Sequence, residues 1–372
     1  MTLPNAQKIK IEPLNQIFKS TSATYKFYWF YSLLQAIEEN KTEITQEELI
    51  ASMIANVWFS VKTYRLSFGV QDKLANIVDA ISMNESPRFD FTDKTNSKEI
   101  IKGILNYLYN NSKTKLSKQI LALGNYVPYR FLRPWCVDIL KGVNDSKLEK
   151  TVKNYASDIN EDKNLPYFFE NGQIIFQKEW FVYFQKYIRI CKGYCLWNLL
   201  EFLQKRNPNV PNIAGKLFPP NPKNRNLAEE RKYWKIVYEH TEKPLLCIFS
   251  NELIQPNDYA LDHFIPWSFV IHNQLWNLVP IVPSVNSSKS DKLPNLDLYF
   301  KKFANIQFEA FHIWKIHHQK RKLEDYLTIG NSIDEISQLS KNDFIQKLEN
   351  QIKPLHQIAQ NMGFQSHWTY KE

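Results

Sequence analysis

From residue 23 to residue 61 apolar side chains return at near-four-residue intervals, a pattern that packed helices bury and strands do not. Ala23 to Glu39 carries Tyr25, Trp29, Leu33 and Ile37 on one face, with Ser22 placed as an N-cap. Thr45 to Val61 repeats the pattern through Leu49, Met53, Ile54, Val57 and Trp58, and Thr45 with Glu48 has the spacing of a capping box. The stripe Tyr25, Trp29, Leu33 is expected in a core rather than as a base-stacking platform. Further helices are predicted near Gln71–Ser82, Ser97–Tyr109 and Lys115–Leu123. Tyr126–Pro134, which holds Pro128 and Pro134, is predicted to be a loop, and its Arg130 and Arg133 suit either phosphate or solvent.

The pattern changes near Leu165. Asn171-Gly172 sits between the β-prone runs of Tyr167–Phe176 and predicts a hairpin, because a type I′ turn needs positive φ at both central residues. A helix is expected over Trp180–Gln204. The stretch Asn207–Arg225 is rich in Pro and reads as a linker that wraps one domain onto the next. Beyond it the pattern predicts helices over Leu227–Tyr238, Leu296–Thr328 and Ser332–Met362. The chain has 372 residues, 44% of them hydrophobic and only 9 Gly, so two or three domains with real cores are expected. The division expected is a mainly helical domain over 1–206, a linker over 207–226 and a second domain over 227–372.

The net charge of +9 favours an anionic partner. Residues 1–19 lack a signal-like apolar run and no stretch is long and apolar enough to span a bilayer, so a cytoplasmic protein without membrane attachment is expected. Cys136, Cys191, Cys195 and Cys247 show no disulfide framework, and Cys191 with Cys195 are read as buried thiols.

The chemistry concentrates in Leu261–Ser268, Leu275–Pro280 and Asn286–Asp291. Asp262 offers a carboxylate to a hard divalent cation, and the neighbouring His263 can take a proton from water near neutral pH. Neighbours on a strand point to opposite faces, so the pair serves one site only where the backbone bends or at the strand's edge. Asn277 and Asn286 offer carboxamide oxygens. Lys289 follows Asn286 by one helical turn and suits a phosphate oxygen. A cation, a base and a phosphate clamp together suit metal-assisted phosphodiester hydrolysis.

These residues resemble the HNH (ββα-metal) endonuclease motif. The form Asp262-His263-x-x-Pro266, then Asn277, then Asn286-x-x-Lys289-Ser290-Asp291 is similar to the HNH domain of CRISPR RNA-guided nucleases and to many prokaryotic HNH proteins. The resemblance implies an α+β chain: a mostly α-helical N-terminal region, then a C-terminal ββα-metal nuclease domain, core 245–295, flanked by helices. It implies Asp262 and Asn286, the latter opening a helix, as metal ligands and His263 as general base. Asn277 would brace the loop and orient the imidazole. The implied ion is Mg²⁺, with Mn²⁺ as a substitute. Family members that carry a zinc ribbon have paired Cys-x-x-Cys motifs. Here Ser250 stands where Cys247 would need its partner, so no structural zinc is expected.

The function that follows is an endonuclease or nickase acting on DNA, in restriction or anti-phage defence, with a defence-system partner or a second copy as possible company. The alternatives are a non-catalytic nucleic-acid-binding module that keeps the fold, and an RNA-cleaving enzyme. Lys315, Lys320, Arg321 and Lys322 are candidate nucleic-acid contacts beside Lys289, and His272 is expected at the surface of the loop.

Overall fold

The computed structural model describes residues 2–84, 88–92, 95–159, 163–218, 226–317 and 320–371; of residues 320 and 321 it describes the backbone alone. The chain divides into two compact units, Met1–Pro208 with Lys216–Pro219, and Asn209–Gly215 with Pro220–Glu372. No helix of the described residues is long and apolar enough to cross a membrane.

The first unit is helical around a small sheet. Its elements are α1 (Tyr25–Glu38), β1 (Glu43–Thr45), α2 (Gln46–Lys62), α3 (Leu74–Ser82), α4 (Ser97–Asn110), α5 (Lys115–Leu121), α6 (Val127–Leu132), α7 (Leu148–Ser157), β2 (Tyr167–Glu170), β3 (Gln173–Phe176), α8 (Lys178–Lys186) and α9 (Ile188–Gln204). The capping box of α2 is present in full: Thr45 Oγ1 accepts from the Glu48 amide and Glu48 reaches back to the Thr45 amide. Asn171 and Gly172 both have positive φ, as the predicted hairpin requires, and β1 adds a third antiparallel strand along β3. Trp29 and Leu33 are buried, and the Trp29 indole donates to Tyr167, whose hydroxyl donates to the Pro128 carbonyl. One polar chain thus joins α1, β2 and α6 inside an apolar core. All four cysteines are free and buried.

Several local expectations differ from the structure. The segment predicted as a loop over Tyr126–Pro134 is the helix α6 followed by a 3₁₀ turn, Arg133–Trp135. Pro128 falls in the first turn of α6, where its missing N–H has no intrahelical partner to lose. Thr24, not Ser22, precedes α1. The helix expected over Trp180–Gln204 is two helices, parted at Tyr187. In the linker region Asn207 is buried, with its amide bonded to both the N–H and the carbonyl of Ser67, and residues 219–225 lie outside the described residues.

The second unit contains α10 (Ala228–His240), β4 (Ala260–His263), α11 (Trp267–Val270), β5 (Leu278–Ile281), α12 (Pro283–Lys289), α13 (Leu296–His317), α14 (Ile333–Gln338) and α15 (Lys341–Asn361). A 3₁₀ stretch, Lys320–Ile329, follows α13, so Leu296–Thr328 is not one helix; Ser340 caps a new helix where Ser332–Met362 was expected to be continuous. β4 and β5 form an antiparallel pair, and β5, buried along its length, also packs against α13.

A buried polar chain fixes this arrangement. Gln307 on α13 donates to the Leu278 carbonyl of β5 at 2.6 Å and accepts from the Tyr326 hydroxyl at 2.6 Å; the Tyr233 hydroxyl of α10 lies 3.3 Å from that of Tyr326. Gln307 is fully buried, so its removal strands a carbonyl and a hydroxyl away from water. Gln307→Leu is expected to destabilise the chain by about 3 kcal/mol, read as a lowered unfolding midpoint in urea. An unchanged midpoint would mean that the chain of bonds carries no weight.

Candidate active site

β4 brings Asp262 opposite Val279 and His263 opposite Leu278, and then ends. The two side chains diverge, as strand geometry requires. Asp262 turns inward and is 4% exposed, while the partly exposed His263 stands at the strand's end. The unit is completed by α12, which packs on β4. A Cα–Cβ bond on a helix leans toward its N-terminus, so a long side chain from the last turn lies back along the helix. Lys289 follows that course and is fully buried. Its ammonium lies 3.1 Å and 3.0 Å from the two oxygens of Asp262 and donates to the His263 carbonyl at 2.8 Å. One amine therefore grips both residues of the pair. Burial pushes the Asp262 carboxyl above its ordinary range, and the adjacent Lys289 charge works against that. Lys289 was expected at a phosphate; the structure places it on Asp262 instead.

Asn277 is also fully buried. Its Oδ1 accepts from the Ile265 N–H at 2.8 Å and its Nδ2 donates to the Ile265 carbonyl at 2.9 Å. The side chain thus acts as one more peptide unit and, with the Phe264 N–H on the Asn277 carbonyl, closes the excursion between β4 and β5. Within that excursion Ile271 adopts a left-handed conformation, φ 52°, and its carbonyl accepts from Asn212. A β-branched residue there carries strain of about 1–2 kcal/mol, so the local backbone is held by its surroundings.

The imidazole is oriented by a different carboxamide from the one expected. His263 Nε2 lies 3.1 Å from Asn273 Oδ1. The Asn273 Nδ2 donates to the Asn226 carbonyl, which fixes the amide with its oxygen toward the ring. His263 then carries its proton on Nε2 and keeps the Nδ1 lone pair. Burial lowers the His263 pKa to about 3; the Asn273 bond opposes this, and the Lys289 and His272 charges add to it. The ring is neutral at neutral pH, the form that accepts a proton. Asn273 had no signal in the sequence beyond its place in the loop. His272, expected at the surface, is partly covered and packs on Trp276.

Asn286 is the fourth residue of α12 rather than its opening residue, which is Pro283. It lies one turn before Lys289 on the same side of the helix and is partly exposed. Its carboxamide makes no hydrogen bond among the described residues. Asp262 Oδ2 is likewise buried without a hydrogen-bond partner, the Lys289 amine lying within ion-pair range of it only. Asn286 keeps an unengaged carboxamide oxygen, and Asp262 a carboxylate ion-paired to Lys289; both are oxygen donors of the type a hard divalent cation selects, so their chemistry fits such an ion.

The other basic candidates are engaged elsewhere. Lys315 bonds Ser337 at the end of α14, and Lys322 donates to the carbonyl and carboxylate of Glu229 on α10. The side chains of Lys320 and Arg321 lie outside the described residues. Around Cys247 the turn closes through the backbone, with the Cys247 N–H on the Glu252 carbonyl and the Asn251 N–H on the Cys247 carbonyl. Among the described residues no group of three or more His, Cys, Asp or Glu side chains is placed to hold a metal.

Asp-His thus lies on the first strand of an antiparallel pair and Asn286 on the helix that follows, a ββα arrangement. Residues 247–295 match the family model described as HNH endonuclease. Neither the curated proteins nor the solved structures yield a match.

Removing Lys289 leaves a buried carboxylate without its counter-charge. Lys289→Met is expected to destabilise the chain by about 3–5 kcal/mol. Adding Asp262→Asn to that variant is expected to return most of the lost stability, and a thermal-melt comparison of both variants checks this. Equal melting temperatures for Lys289→Met and the unaltered chain would contradict the ion pair.

Proposed function

We propose that the chain is a divalent-metal-dependent endonuclease that hydrolyses DNA phosphodiester bonds at Asp262, His263 and Asn286. The observation that supports this most is that the HNH-matching segment folds as ββα with the donor and base residues intact. Within it, Asn286 keeps an unengaged carboxamide, Asp262 an oxygen without a hydrogen-bond donor, and His263 a neutral imidazole. Asp262 and Asn286 would hold the ion, with Mg²⁺ favoured by an all-oxygen donor set. When bound, the ion supplies positive charge to a phosphate oxygen and to the departing 3′ oxygen.

The remaining work belongs to the chain itself. His263 Nδ1 takes a proton from the attacking water while Asn273 holds the opposite edge of the ring. Asn277 keeps the loop closed beneath it. Lys289 holds the carboxylate in place from inside the protein and stands out of the substrate's reach. The setting we assign is restriction or defence against foreign DNA. It rests on the presence, in the same chain, of a separate helical unit suited to holding substrate or a partner.

Purified chain in Mg²⁺ is expected to nick or cut supercoiled plasmid, with RNA as the parallel substrate. His263→Ala is expected to lower the cleavage rate about 10²–10⁴-fold while gel-shift affinity holds. Undiminished cutting by that variant would remove His263 as the base, and cleavage of RNA with sparing of DNA would replace the substrate. Chelation by EDTA is expected to stop the reaction and added Mg²⁺ to restore it, followed as plasmid nicking over time; persistence in chelator would exclude Asp262 and Asn286 as metal ligands.

A further inference from the structure

A cavity of about 480 Å³ opens in the first unit. This is within the usual size range of small-molecule sites. The start of α1, the residue ahead of α3, and α6 with the residue before it contribute to its wall. Four cations line it, Lys26, Lys73, Arg130 and Arg133, and no Asp or Glu does among the lining residues. Asp72, next to Lys73 in sequence, is spent elsewhere: it is buried and accepts from the N–H and hydroxyl of Thr24, each at 2.6 Å, and from the Leu74 N–H. Arg130 is paired with Glu149 through Nε at 2.6 Å, while its guanidinium lies over the Tyr126 ring. Lys73 and Arg133 make no side-chain hydrogen bond or ion pair among the described residues. Lys26 reaches only the Ile17 and Ser20 carbonyls.

Like charges gathered at a half-enclosed site repel one another unless an anion neutralises them. The effect is visible at Lys26, whose pKa falls to about 8 through burial first and then the Arg133 and Arg130 charges. The rest of the lining is of another kind. Leu123, Val127 and Ile77 are buried apolar side chains, the Tyr126 ring is 56% exposed, and Gln71 and Gln119 supply carboxamides. Cations on one side, a stacking ring and base-reading amides on the other, suit a molecule with a phosphate end and a planar heterocyclic end.

We propose that this cavity binds a phosphate-bearing nucleotide, with Arg133, Lys73 and Lys26 on the phosphates and Tyr126 against the base. The sources of that chemistry are a free nucleotide and the 5′-phosphorylated end of a strand. The site belongs to the first unit and does not rest on the nuclease assignment.

Calorimetry on the full chain in EDTA separates binding from any cleavage. ATP, pyrophosphate, inorganic phosphate and a 5′-phosphorylated oligonucleotide are the probes. ATP or the oligonucleotide is expected to bind, and the tighter of the two names the source. Arg133→Gln with Lys73→Gln, both at exposed and unpaired positions, is expected to weaken that binding about tenfold or more with an unchanged melting temperature. Tyr126→Ala is expected to weaken ATP and leave pyrophosphate unaffected. Failure of all four probes to bind, or unaltered affinity in the folded double variant, overturns the site. Pyrophosphate binding as tightly as ATP overturns the nucleoside part.

Discussion

The geometry of the HNH-matching segment depends on one ammonium group. Lys289 is stripped of water on all sides, and the carboxylate it meets is nearly so. Desolvating both charges is costly, and their attraction compensates only because the amine also donates to the His263 carbonyl. That third contact ties the pair to the strand rather than to one side chain. The helix α12 is thereby fixed over β4, and Asn286, one turn away, is carried to the same side.

Around this pair two carboxamides do the work of backbone. Asn277 completes a ladder that the chain itself leaves open, and Gln307 reaches from α13 to the outer side of β5. Both are fully buried and bonded at the oxygen and at the nitrogen, so each is specific to its position. A third carboxamide, Asn273, aims the imidazole from the loop. Neutral amides thus hold the strands and the loop together.

The parts of this legible in the sequence were those with a short-range signature. The Thr45–Glu48 capping box, the Asn171-Gly172 hairpin and the Asp262-His263…Asn277…Asn286 series are all patterns within a few turns of chain. The sequence does not tell which partner a versatile group selects. A lysine one turn after an asparagine suits a phosphate or a buried carboxylate equally, and only packing makes it the latter. Asn273 and Asn277 are the same residue type four positions apart, and only the loop's path decides which faces the ring. β1 is too short to show a period, and α6 is hidden by a proline that the first helical turn accepts. Of the arginines that follow, Arg130 is anchored to Glu149 and Arg133 is not, a distinction that tertiary contacts alone reveal.

The internal counter-ion has a further consequence for how such a site lives in a cell. In many small metal domains the ion supplies the folding free energy, and its loss unfolds the chain. Here an ammonium already balances the carboxylate, so the strands, helix and loop are assembled in near charge neutrality before any divalent ion arrives. On the proposed metal-dependent reading, uptake and release of that ion are a change of occupancy on a finished scaffold. Scarcity of divalent cations would then leave the domain silent yet folded, ready to resume when supply returns.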